Sequence, residues 1–359
     1  DVYLTADITP EDRSVVASAE MKLTNKSNFS IDSLHLSNES QIEHTVVRSF
    51  TIDDVEPELL LSDEDHRYKI YKLPTTLQPG DTVQMDIEVE ASYKGFPNSG
   101  FGREVVLNGT FFNNSILPSF GYNPGSELTS ELDRNKYGLE PKDYVSPPQD
   151  DSIGRYNLLF TDEADLVTYE AVISTSPDQI AVSPGYLIIS WEEGGRKYFH
   201  YKMKNKIQAF FNISSARYEV FNDTWTNPDG TKGNIEIFHH AKHTYNLDRF
   251  NASVKESMEY FSANFSPFQF RQMRLLEFPR YDSFAQSFPN TVPYSEAFGG
   301  GGDFSDPDDT DYAFYVTAHE VAHQWWAHQL APSATRGANQ LSESMAQCSA
   351  FMVLKEYVG

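Results

Sequence analysis

One cysteine, Cys348, occurs in 359 residues. No intrachain disulfide can form, and a metal cage built from several thiolates is excluded with it. Basic residues are also scarce: 28 Lys and Arg stand against 52 Asp and Glu, a net charge of −24 at pH 7. A field of that sign repels phosphate backbones and anionic lipid surfaces, so no nucleic-acid partner is expected. Long hydrophobic runs are missing too. No apolar stretch approaches the roughly 18 residues of a membrane-spanning helix, and no charged-then-apolar leader opens the sequence. Aromatic side chains, by contrast, are plentiful. With 25 Phe, 20 Tyr and 39% hydrophobic residues, the chain has the core material that a disordered acidic chain lacks. At about 150 residues per domain, its length suggests two or three domains. It stops at Gly359 inside an apolar, helix-like pattern, as expected of a piece of something longer.

The first half alternates with period two. Ala17, Ala19, Met21 and Leu23 fall on one face, and Ser18, Glu20, Lys22 and Thr24 on the other, the pattern of a half-buried strand. Val83, Met85, Ile87 and Val89 repeat it after the turn pair Pro79-Gly80. Further strands are expected at 3–8, 31–36, 166–174, 186–191 and 198–203, together an antiparallel sandwich or saddle. Between about 122 and 151 a Pro-, Asp- and Glu-rich connection predicts a long surface excursion. Beyond Phe221 the period changes. Asn246 or Asp248 can cap a helix whose apolar positions Phe250, Val254, Met258 and Phe261 recur every three to four residues. The main boundary is therefore placed near 218, giving a β-rich domain over 1–218 and a helical or mixed one over 219–359.

The strongest chemical signal is His319-Glu320-Val321-Ala322-His323. On a helix, residues four apart share a face, so His319 and His323 can aim their rings at one ion. A catalytic zinc takes three protein ligands and keeps a fourth position for water, whose pKa it lowers towards neutrality. A third ligand is needed, and a carboxylate from a following helix suits the geometry. Leu341-Ser342-Glu343-Ser344 reads as such a helix start, with Ser342 as cap and Glu343 pointing back at the motif. Two histidines on one face can also be ordinary core or surface residues, an alternative the spacing leaves open.

The motif, followed by Gln324-Trp325-Trp326 and then a glutamate heading an apolar helix, resembles the gluzincin aminopeptidases, the family of aminopeptidase N. Residues 1–10 and 19–25 are similar to the opening strands of that family's saddle domain, so the resemblance spans the chain. It implies an α+β multidomain fold: an antiparallel β saddle or sandwich, then a thermolysin-like, mainly helical zinc peptidase domain, incomplete at its C-terminal end. It further implies one zinc ion held by His319, His323 and Glu343, with Glu320 taking a proton from water and returning it to the leaving amine. The expected activity is removal of N-terminal residues from peptides, and the rival is a peptidase-like ectodomain that binds peptides or a transporter partner without turnover. Asn108-Gly-Thr-Phe-Phe-Asn-Asn-Ser, Phe278-Pro-Arg-Tyr and Phe288-Pro-Asn-Thr-Val-Pro-Tyr-Ser-Glu are similar to the branch fused to ABC-transporter permease segments. That likeness implies a domain tethered to a bacterial membrane, on its periplasmic side, through segments outside this chain.

The sequence departs from the family pattern in three places. The spacing from His323 to Glu343 is one residue longer than is usual, which points to an extra loop residue around 332–338. The substrate strand G-A-M-E-N is missing, and its nearest counterpart is Pro293-Tyr294-Ser295-Glu296. Tyr294 and Glu296 are therefore taken as substrate-binding residues, Glu296 pairing with a peptide's terminal ammonium, against the plainer reading of a solvated loop acid. The family's transition-state tyrosine would lie beyond Gly359.

Other signals are read as structural. His239, His240 and His243 have no carboxylate at companion spacing. Asp303, Asp306, Asp308, Asp309 and Asp311 lack the alternation and central glycine of a calcium loop, and read as a solvated acidic loop. The glycines at 299–302 lack the Lys-Ser/Thr of a phosphate loop, and suggest a mobile rim of the cleft. His328 is expected on the helix surface, and Trp325 and Trp326 in packing.

Overall fold

Where the sequence alternates, strands form with the expected face inward. In Ser14–Thr24, Val15, Ala17 and Ala19 are buried while Glu20 and Lys22 are exposed. The computed structural model describes residues 1–37, 45–93, 95, 104–121, 127–142, 146–152, 154–160, 166–298, 302–304, 306 and 310–358. Three of the glycines at 299–302, the acids Asp308 and Asp309, and parts of the 122–151 connection lie outside the described residues.

Ser14–Thr24 sits inside a seven-stranded sheet ordered Tyr186–Glu193, Arg196–Lys202, Tyr169–Thr175, Val2–Thr9, Ser14–Thr24, Thr82–Ser92, Thr45–Ile52. The sheet is not wholly antiparallel as expected. Val2–Thr9 and Tyr169–Thr175 run parallel, an arrangement that requires the long crossover supplied by the chain between Ser92 and Tyr169. A four-stranded sheet (Glu58–Asp63, Tyr68–Leu77, Ile31–Ser37, Ser119–Phe120) and a three-stranded one (Ile180–Val182, Asn212–Ala216, Thr110–Asn113) complete the β-rich first half. The crossover contains a short helix, α1 (Glu131–Lys136), capped by Ser130 and with no buried residue.

The chain after 218 is mixed rather than mainly helical, which corrects the expectation. It opens with a four-stranded sheet ordered Tyr218–Thr226, Lys232–His240, Gln272–Phe278, Thr291–Ser295, in which the last three strands are parallel neighbours. All seven residues of Gln272–Phe278 are buried. A strand covered on both faces has no alternation to read, so periodicity could not distinguish it from a helix. Helix α2 (Leu247–Asn264) makes the crossover between the second and third strands, and it buries Phe250, Val254, Met258 and Phe261 as their spacing predicts. Asn246 occupies the cap position without a side-chain capping bond, and its Nδ2 donates instead to Gly302 O at 3.0 Å.

Helices α3 (Tyr312–Ala322) and α4 (Met345–Val358) pack on α2, where Ser253 Oγ donates to Phe314 O at 2.7 Å. One cluster of buried apolar side chains continues from Leu4 in the large sheet to Val353 in α4. Among the described residues, no helix is long and apolar enough to cross a membrane.

Candidate metal centre

Helix α3 carries the His-Glu-x-x-His segment at its C-terminal end. Its start is fixed by Asp311, whose carboxylate accepts from Phe314 N at 3.0 Å and also pairs with Arg249 of α2. His319 lies in the last turn and His323 just after it, still helical, with His323 N donating to His319 O at 3.2 Å. The chain then widens. His328 N donates to His323 O at 3.1 Å and Leu330 N to Trp325 O at 2.8 Å, closing a wide turn in which Trp326 and Ala327 leave the helical backbone conformation. A second wide turn, Gln340–Ser344, leads into α4 and carries Glu343.

Three donor atoms meet there. His319 Nε2 and His323 Nε2 are 3.1 Å apart, and Glu343 Oε2 lies 3.6 Å from the first and 3.5 Å from the second. Tetrahedral zinc with bonds of 2.0–2.1 Å would hold such donors about 3.3–3.4 Å apart, so the triangle has the size a zinc ion needs. His323 Nδ1 faces Trp326 O at 3.4 Å, so this ring nitrogen is turned to the backbone and Nε2 is the one presented to the centre.

The surrounding charge agrees with a cation at the centre. Hydrogen bonds from the two imidazoles hold the half-exposed Glu343 carboxyl well below the usual range. Burial opposes charge on His323, yet the Glu343 and Glu320 carboxylates outweigh it and raise its pKa. Glu320 is buried, which pushes its carboxyl up, with the two imidazoles pulling the other way. Its carboxylate is not one of the three converging donors.

The motif is held from behind. Gln324, fully buried, donates to Ser287 Oγ at 2.7 Å and Phe288 O at 2.8 Å and accepts from Asn290 N at 2.9 Å. Trp325 donates to Ser266 O at 2.9 Å and packs on Phe261, while Trp326 donates to Ser349 Oγ of α4, also at 2.9 Å. Both tryptophans are packing elements. The loop between His323 and Glu343 is pinned by the chain around 146–160. Arg336 Nε donates to Ser146 O at 2.9 Å, Leu159 N to Pro332 O at 3.0 Å and Ala334 N to Asn157 O at 2.8 Å. Part of the expected surface excursion thus braces the loop that leads to Glu343.

The expectations for Ser342, His328 and the histidine cluster change. Ser342 does not cap a helix; it is buried inside the wide turn, with its hydroxyl 3.5 Å from Glu343 Oε1. His328 is not on a helix surface, because the wide turn brings it back over His323. Its Nε2 meets Ser287 O at 3.1 Å, and burial lowers its pKa to about 3. Tyr294 is buried against Phe250, ring centroids 5.1 Å apart. Glu296 lies outside the triangle, with Oε1 accepting from Arg280 N at 2.8 Å and Oε2 3.8 Å from His243 Nδ1. The histidine cluster does have carboxylate companions: His243 Nδ1 also pairs with Glu277. The signal overlooked was a charged residue inside the apolar run Leu275-Leu276-Glu277-Phe278.

No family model matches the chain, and no curated protein is detectably similar in sequence. Its structure does match solved ones. An M1 zinc metallopeptidase from Deinococcus radiodurans aligns at TM-score 0.63 and 13% identity, over 100% of this chain and 70% of that one. A mutant of that enzyme bound to a Tyr-Ser-Ala substrate aligns at 0.62 and 13%, with the same coverage. Aminopeptidase A from Legionella pneumophila, in complex with aspartic acid, aligns at 0.67 and 16%, over 99% of this chain and 37% of that one. At these identities the likeness is one of architecture, and the chain shares the fold of the M1 zinc metallopeptidases across its whole length.

Proposed function

We propose that the chain is part of a zinc metallopeptidase that removes N-terminal residues from peptides. His319, His323 and Glu343 hold the ion, and Glu320 is the general base. The observation that carries this reading is the zinc-sized triangle of donors with a separate buried carboxyl on the same helix. Two similar solved structures are described as bound to a tripeptide substrate and to an amino acid, which supports a peptide substrate here.

When bound, zinc supplies Lewis acidity, lowering the pKa of a water and polarising a carbonyl. The protein does the rest. A Glu320 carboxylate oxygen accepts the proton from water and delivers it to the leaving amine, and burial raises the basicity of that carboxylate. Gln324 and the two tryptophans keep the motif rigid, so that the base and the ligands hold their mutual geometry. Glu296 anchors the peptide's terminal ammonium through the oxygen not engaged by Arg280 N. In this reading residues 1–218 form the saddle and 219–359 the first part of a thermolysin-like catalytic domain. A tether to permease-like membrane segments outside the chain rests on sequence resemblance alone.

Glu320→Gln tests the assignment. In the whole protein, hydrolysis of aminoacyl amides should fall at least about a thousandfold while zinc content is unchanged. Residual turnover within tenfold of wild type would remove Glu320 from the mechanism.

A further inference from the structure

His243, Glu277 and Glu296 bring a second set of donors together, with one donor atom from each within 4.8 Å of the others. Their placement follows from the sheet. Lys232–His240, Gln272–Phe278 and Thr291–Ser295 are parallel neighbours, and the three residues sit at or just beyond the C-terminal ends of those strands. In open sheets with parallel strands that edge is where ligands bind.

The carboxylates are oriented for a shared purpose. Glu277 accepts from His240 N at 2.6 Å through Oε2 and turns Oε1 to His243 Nδ1. Glu296 accepts from Arg280 N at 2.8 Å through Oε1 and turns Oε2 towards the same nitrogen, 3.8 Å away. Each carboxylate thus has one oxygen fixed by a backbone amide and the other presented to a single imidazole nitrogen, the way outer contacts orient metal-ligating carboxylates. Beside them lies a cavity of about 20 Å³, lined by all three residues, which is room for one water-sized occupant.

We propose that His243, Glu277 and Glu296 form a second divalent-cation site, distinct from the His319 centre, that takes zinc in preference to calcium or magnesium. A nitrogen donor with two carboxylate oxygens favours zinc over calcium or magnesium, which take larger all-oxygen shells. Binding requires the His243–Glu277 pair to open and Glu296, 3.8 Å from His243, to close to the roughly 3.3 Å spacing of a tetrahedral site. If Glu296 also anchors a peptide ammonium, a consequence that rests on the peptidase reading, ion and peptide compete for it.

The test removes the first centre. The full chain carrying His319→Ala and His323→Ala is stripped with chelator, loaded with zinc, desalted and analysed for metal, with circular dichroism confirming the fold. It should retain one zinc per chain, and adding His243→Ala should abolish that binding. Because the His319 centre is absent from both proteins, the outcome does not depend on the peptidase assignment. X-ray absorption of the zinc-loaded double variant should show one imidazole and a remainder of oxygen ligands. No retained zinc, zinc that survives His243→Ala, or a shell without imidazole overturns the proposal.

Discussion

Glu320 and Glu343 feel the same two imidazoles, yet their surroundings drive them in opposite directions. Burial raises the carboxyl of Glu320, whereas the half-exposed Glu343 is held low by hydrogen bonds from His319 and His323. Two carboxyls separated in this way suit one proton carrier and one permanently ionised ligand. His328 offers a test by pH. Its folded pKa is about 3, against about 6.5 for an unfolded chain. Between these values the unfolded state binds the extra proton, so stability is complete above about pH 6.5 and is lost as the pH falls towards 3. From about pH 6.5 to 5 the loss should be on the order of 2 kcal/mol. Urea midpoints for wild type and His328→Gln should converge as the pH is lowered, because the variant lacks this term. Of the residues in the centre, the paired histidines and Glu320 were legible because helical spacing alone places them. The inward turn of His328 was not, since the helical backbone breaks at Trp326 and Ala327 without a proline or glycine to mark it.

At the scale of elements, legibility followed exposure. Ser14–Thr24 and Thr82–Ser92 each have one wet edge of the pattern, and their alternation was readable. Gln272–Phe278 and Thr291–Ser295 are buried throughout, and no period marks them as strands. Helix α2 was legible from Phe250, Val254, Met258 and Phe261, and its last aromatic joins it to the turn after His323. Phe261 is fully buried and packs edge-on against Trp325, centroids 5.2 Å apart. Phe261→Ala should cost about 3–5 kcal/mol in chemical denaturation. The same change should weaken zinc binding in a chelator competition, because Trp325 belongs to the turn that follows His323.

For the whole molecule, the charge of −24 means that folding gathers like charges. Raising sodium chloride from about 0.02 to 0.2 M, which shortens the screening length several-fold, should raise the melting temperature by a few degrees. A fall would show that specific ion pairs such as Arg274 with Glu236, 2.7 Å apart, outweigh the general repulsion. The amino-acid sequence by itself determined the half-buried strands, the amphipathic α2 and the His319/His323 pair, because each depends on neighbours within one or two turns or pleats. Tertiary structure alone decided that Ser146, Asn157 and Leu159 brace the loop before Glu343, and that Glu277 and Glu296 converge on His243. Those meetings arise from parallel strands and a long crossover, which bring distant segments side by side without leaving any local period in the chain.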